Sequence, residues 1–138
     1  MAAVTAVAGY INFSEAVLIG LVAGVVSNLI ANWRLGRSRI DDTLDVFACH
    51  GIGGIIGAIA VGLFANKSIN PTVSGLFYGN LLQLGIQALA VVVAAFAFVS
   101  SYLLLRLVDV FSPLRVSPEE ADAGLDLSQH GEEAYQLD

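Results

Sequence analysis

His50 stands in the run Asp45-Val46-Phe47-Ala48-Cys49-His50-Gly51-Ile52-Gly53-Gly54, with Gly57 three residues further on. If the run is helical, the face of His50 is shared by positions three, four and seven away: Val46, Phe47, Gly53, Gly54 and Gly57. The imidazole would then have apolar groups on one side and bare backbone on the other. Such a surface leaves a slot that could hold another helix, a second polar side chain or a small substrate. A neutral imidazole offers one donor and one acceptor nitrogen, so it can accept a hydrogen bond from a small N–H molecule or relay a proton without a fixed charge. The competing reading is a histidine hydrogen-bonded to a neighbouring helix for packing alone. Asp42 precedes the run and Asp45 opens it, at a spacing close to that of a capping box, with Asp42 expected as the N-cap and both carboxylates at the positive end of the helix dipole. Asp45 and His50 are five positions apart, on different helical faces, with no nucleophile beside them, so no enzyme activity is expected. Cys49 is the only cysteine, which excludes an intrachain disulfide and a cysteine zinc site. No metal or cofactor is expected.

These residues need a helix to carry them, and the composition says in which solvent. Of 138 residues, 57% are hydrophobic and 13% charged, against about 25% charged in a soluble domain. That balance points to lipid. Three apolar runs reach the roughly 20 residues needed to cross a bilayer: about 14–33, 43–65 and 80–108. Ser14 is the expected cap of the first, and Trp33 falls where a membrane-interface aromatic belongs. An ionisable residue inside such a span is costly and is read by default as functional, which favours a working role for His50. Gly51, Gly53, Gly54 and Gly57 would each weaken a helix in water by about 1 kcal/mol relative to alanine, but in a membrane small residues let helices approach closely. Arg106 and Asp109 have a helical i, i+3 spacing and are expected to pair.

Charge sets the expected topology. Arg34, Arg37 and Arg39 fall in the loop between the first two spans, which the positive-inside rule makes cytoplasmic. The N-terminus is then outside and the C-terminus inside. Residues 1–111 carry balanced charge, whereas residues 112–138 carry Arg115 against seven acids and hold the whole net charge of −6. No basic patch calls for nucleic acid. The short apolar stretch 2–9 has no basic n-region and reads as the end of a helix whose start is missing, not as a signal peptide.

The stretch Asp41-Asp42-Thr43-Leu44-Asp45-Val46-Phe47-Ala48-Cys49-His50-Gly51-Ile52-Gly53-Gly54 resembles the Asp-Val-Phe-x-x-His-Gly-x-Gly-Gly signature of the ammonium transporter family. Gly124-Leu125-Asp126, followed by His130-Gly131-Glu132-Glu133-Ala134-Tyr135, resembles that family's cytoplasmic C-terminal segment. The resemblance implies an all-α membrane protein comprising the last three transmembrane helices of an eleven-helix fold, a partial preceding helix and a cytoplasmic C-terminal segment. It divides the chain into a transmembrane portion, 1–111, and a regulatory segment, 112–138. In the family each subunit of a homotrimer has its own narrow pore, through which ammonia passes while histidines move the proton.

By that resemblance His50 matches the second histidine of the pore pair, and Val46 an apolar pore-wall position one turn away. Gly124, Asp126, His130, Gly131, Glu132 and Tyr135 match the regulatory tail, which docks on the cytoplasmic face and relays regulation by PII-type signal proteins. Its carboxylates are expected to pair with Arg34, Arg37 and Arg39. The first histidine, the external aromatic gate and the outer cation site belong to helices outside this chain. The expected function is therefore ammonium transmembrane transport in the cell membrane, with this chain supplying one pore histidine and the tail, and inactive alone. The alternative is a truncated membrane interaction protein that binds transporter subunits or signal proteins without conducting.

Overall fold

A computed structural model describes residues 2–35, 37, 42 and 44–132. Its regular structure is helical throughout these residues. Three helices are long and apolar enough to cross a membrane: Phe13–Leu35, Phe47–Phe64 and Leu81–Phe111. The second starts later than the sequence suggests, at Phe47, and Thr43 lies outside the described residues. We number the helices α1 (Ala2–Val7), α2 (Phe13–Leu35), α3 (Gly53–Phe64), α4 (Leu81–Phe111) and α5 (Pro118–Ala123). A π-helical segment, Phe47–Ile52, runs directly into α3. The chain divides into two compact units, residues 1–95 and 96–138.

In the first unit α1 is the helical stub anticipated before the first span, and it seats against α2 and α3. The buried cluster is made largely of small side chains: Ala3, Val7, Ile19, Ala23, Ala60, Val61 and Ala65. Small residues bring backbones close, which suits helix contact in lipid, where apolar surface alone gives little reason to associate. Gly57 shows how close. A β-carbon there would lie 2.6 Å from the Ala3 carbonyl oxygen and 2.7 Å from the Ala6 Cβ. At Gly62 it would lie 2.9 Å from Leu84 Cα at the start of α4.

α2 begins at Phe13, so Ser14 is inside the helix and does not cap it. The cap is made from the other direction: the Asn12 N–H donates to Glu15 Oε2 at 2.8 Å, with the carboxylate at the positive end of the helix. Glu15 Oε1 also accepts from the Tyr78 hydroxyl at 3.0 Å, and Asn66 Nδ2 donates to that hydroxyl oxygen at 3.1 Å. The hydrogen bond to Glu15 is the largest cause of an upward shift in the Tyr78 pKa. This network, together with Asn66 N–H to the Tyr10 carbonyl at 2.8 Å, ties the loop after α3 to the start of α2. Nothing in the local sequence pattern announces it, because its members are 63 positions apart at the widest.

In the second unit α4 runs out to Phe111, and Arg106 Nη1 lies 4.0 Å from Asp109 Oδ2 in an exposed i, i+3 pair. α5 has a full capping box: Ser117 Oγ accepts from Glu120 N–H, and Glu120 Oε2 accepts from Ser117 N–H. Pro118 opens the helix, a position where its missing N–H costs nothing. A π-helical turn, Asp126–His130, follows. The two glycines that bracket the turn have positive φ, +94° at Gly124 and +69° at Gly131, a region open to glycine at little cost. Ser128 Oγ donates to the Gly124 carbonyl at 2.8 Å, and Glu132 N–H donates to the Asp126 carbonyl at 3.1 Å. Residues 118–132 are thus a folded motif. Tyr135 lies outside the described residues.

Candidate functional site

The Asp-Val-Phe run is organised by its two carboxylates. Asp42 Oδ1 accepts from Val46 N–H at 2.8 Å and Oδ2 from Phe47 N–H at 3.0 Å. One carboxylate therefore takes the first two free donors of the helix. Those two backbone bonds, Phe47 first, hold the Asp42 pKa below the ordinary aspartate value, and Arg34 adds to the effect.

Asp45 does something else. Its φ is +51°, and it is the one non-glycine residue with positive φ among those described. Its carboxylate is taken by Arg34, the last charged residue of α2, with Nη2 donating to Oδ1 at 2.6 Å. The same Nη2 donates to the Asp42 carbonyl at 2.7 Å, and Nε lies 3.9 Å from Asp42 Oδ2. The Arg34 side chain is only 11% exposed. Arg34 therefore serves these two acids within its own unit. Arg39 lies outside the described residues.

His50 sits inside the π-helical segment and is exposed on the surface of the chain. Val46 and Phe47, one turn earlier, are half exposed, at 50% and 48%. The anticipated stripe of three glycines beside the imidazole is divided. Gly53 and Gly57 are buried against α1, with Ala2 and Ala3 facing Gly53 and Ala3 and Ala6 facing Gly57. Gly54 has open space where a β-carbon would be, and Gly51 meets only the ring of Phe47. The reason is geometric: faces drawn with 3.6 residues per turn do not carry through a segment whose bonds run i to i+5. The recess that α1 leaves against α2 and the π segment, about 350 Å³, is lined by Asp45, Cys49 and Gly53 with Ser27 and Asn28, and His50 is not part of it. The imidazole is exposed outside that recess.

Two site features were not legible as local pattern. The π helix has no residue signature of its own. The Arg34–Asp45 pair spans eleven positions, and its only advance signal is the basic end of one span facing the acidic start of the next.

The comparisons with known proteins agree with the motif. The profile of the Ammonium Transporter Family matches residues 1–135, and the chain belongs to that family. It is 45% identical over 98% of its length to "Ammonium transporter Amt1" of Archaeoglobus fulgidus. It is 38% identical over 99% to "Ammonium transporter" of Bacillus subtilis, and 39% identical over 98% to "Ammonium transporter 1" of Dictyostelium discoideum. The matched region is 34%, 34% and 30% of those relatives, so the chain spans about a third of their length. Family and apolar helices together make this a membrane protein.

Proposed function

We propose that this chain supplies one wall of an ammonium-conducting pore, with His50 as the proton-handling residue and Val46 beside it as apolar lining. The observation that carries the reading is the placement of His50: an ionisable ring on the exposed face of an 18-residue apolar helix. A charged or hydrogen-bonding group on an apolar span is retained where it faces protein or a substrate path. Asp45 is held by Arg34 and not by His50, which favours a lone imidazole over an acid–base pair for chemistry. The remaining wall, including a second histidine, comes from further helices of a complete subunit, and the subunit works as a trimer. The basic end of α2 lies in the cytoplasm. The tail docks on the cytoplasmic face and responds to a PII-type signal protein, through Gly124, Asp126, His130, Gly131 and Glu132 of the folded motif and through Tyr135 beyond it.

The test is uptake of labelled methylammonium by cells lacking their own transporters. This chain co-expressed with the complementary helices of a relative should restore uptake, and the chain alone should not. His50→Ala should remove most of the restored uptake. Uptake unchanged by His50→Ala would overturn the reading.

A further inference from the structure

The Arg34 guanidinium, the left-handed backbone at Asp45 and the π-helical segment lie in sequence along one path that ends at His50. We propose that Arg34 and Asp45 are positioning residues: their ion pair fixes the turn from which the π-helical segment departs and thereby fixes where the imidazole points. The inference deepens the transport reading and rests on it for the role of His50.

The argument starts from conformational cost. A left-handed residue other than glycine is disfavoured and persists where its surroundings over-determine it. At Asp45 the surroundings are identifiable. Arg34 Nη2 clamps the carboxylate at 2.6 Å and the Asp42 carbonyl at 2.7 Å, so one guanidinium group fixes the backbone on both sides of the turn. The Asp45 carbonyl then accepts from Cys49 N–H at 2.9 Å. That bond is an ordinary i to i+4 contact, the last turn before the bonding widens, and His50 is the next residue. Asp42 holds the Val46 and Phe47 N–H groups in the meantime. Those two donors face a carboxylate in place of upstream carbonyls, and the segment proceeds with the wider i to i+5 bonding over Phe47–Ile52 before α3 resumes at Gly53. π segments inside helices are uncommon and recur at functional sites. Loss of the clamp frees Asp45 to leave the left-handed region. The segment can then tighten toward α-helical bonding, which turns His50 and Cys49 relative to the buried Gly53.

Cys49, the sole cysteine, is exposed beside His50 and reports on that rotation. The experiment uses the full 138-residue chain in lipid nanodiscs. It measures maleimide labelling of Cys49 and carbethoxylation of His50 by mass spectrometry, with His130 as internal reference. Arg34→Gln is the direct variant. Asp45→Asn is the second, because asparagine tolerates the left-handed region and so removes the charge without forcing the fold. Arg106→Gln, in the exposed pair on α4, is the control. We expect both clamp variants to change the Cys49 and His50 rates by about fivefold, the ratio that one lost kilocalorie of positioning gives. Arg34→Lys should recover part of the change, and His130 and the control should stay as in the parent chain. Unchanged rates at both Cys49 and His50 in Asp45→Asn would overturn the proposal. Labelling needs no transport, so a failed uptake assay with shifted labelling counts against the pore reading alone. In the assembled transporter the same variants should shift the pH profile of uptake, an effect that loss of packing alone would not produce.

Discussion

At Asp45 two requirements meet in one side chain: a φ of +51° and an ion pair with Arg34. They can be separated. Asp45→Gly relieves the backbone and loses the pair, whereas Asp45→Ala loses the pair and keeps the steric problem. The alanine variant should therefore be less stable than the glycine variant by about 1–2 kcal/mol, the cost of a left-handed residue bearing a β-carbon. Chemical unfolding in detergent followed by circular dichroism would measure the difference. Equal stabilities would mean that the backbone relaxes away from the left-handed region. Asp42 gives a prediction in pH. Its folded-state pKa is lowered, so its stabilising effect is complete above the unfolded aspartate value of about 3.9 and fades as pH falls through the lowered value. Acid unfolding of Asp42→Asn should be shallower than that of the parent chain below about pH 4. Both carboxylates were legible in the sequence as helix-end groups, because capping follows from spacing. Their division of labour was not, since it depends on an arginine eleven residues from Asp45.

Between elements, glycines separate into those that neighbours need and those they do not. Gly57→Ala pushes a methyl group into the Ala3 carbonyl and the Ala6 side chain. It should destabilise the seat of α1 by about 1–3 kcal/mol, as overpacking does. Gly54→Ala meets nothing within 4 Å and should be neutral or slightly stabilising in the isolated chain. Comparing their unfolding midpoints checks both, and an equal loss would show that α1 does not sit where described. At the other end, Tyr78→Phe removes hydrogen bonds to Glu15 and Asn66 and should cost about 1 kcal/mol. It should also speed amide exchange in residues 66–79. The spans were readable from hydropathy, and their ends agree with expectation within a few residues, apart from the later start of the second. The glycines do not form one stripe beside His50, because a regular 3.6 period does not hold through residues that are π-helical. Helical periodicity identifies a face only while the bonding pattern stays constant.

For the whole chain, family membership rests on a match across residues 1–135, yet that match is only about a third of each relative. The exposed apolar side chains agree with a surface that awaits neighbours or lipid: Val17, Leu21, Val25 and Leu29 on α2, and Phe96, Phe98 and Leu103 on α4, are all more than half exposed. His50 belongs to this uncovered surface. What the sequence could not supply is the arrangement around the imidazole, because the π-helical bonding resets which residues share its face. Gly124 and Gly131 turn out to be the residues whose backbone demands glycine, which gives the Gly-Leu-Asp and His-Gly motifs a conformational reason.

The length of α4 carries one more consequence. Thirty-one helical residues rise about 46 Å, roughly half as long again as the 30 Å hydrocarbon layer. Such a rod meets a thin bilayer by leaning over and a thick one by standing up. Its inclination should therefore follow the acyl-chain length of the host lipid, and oriented infrared dichroism across a series of phosphatidylcholines would record the angle closing as the chains lengthen.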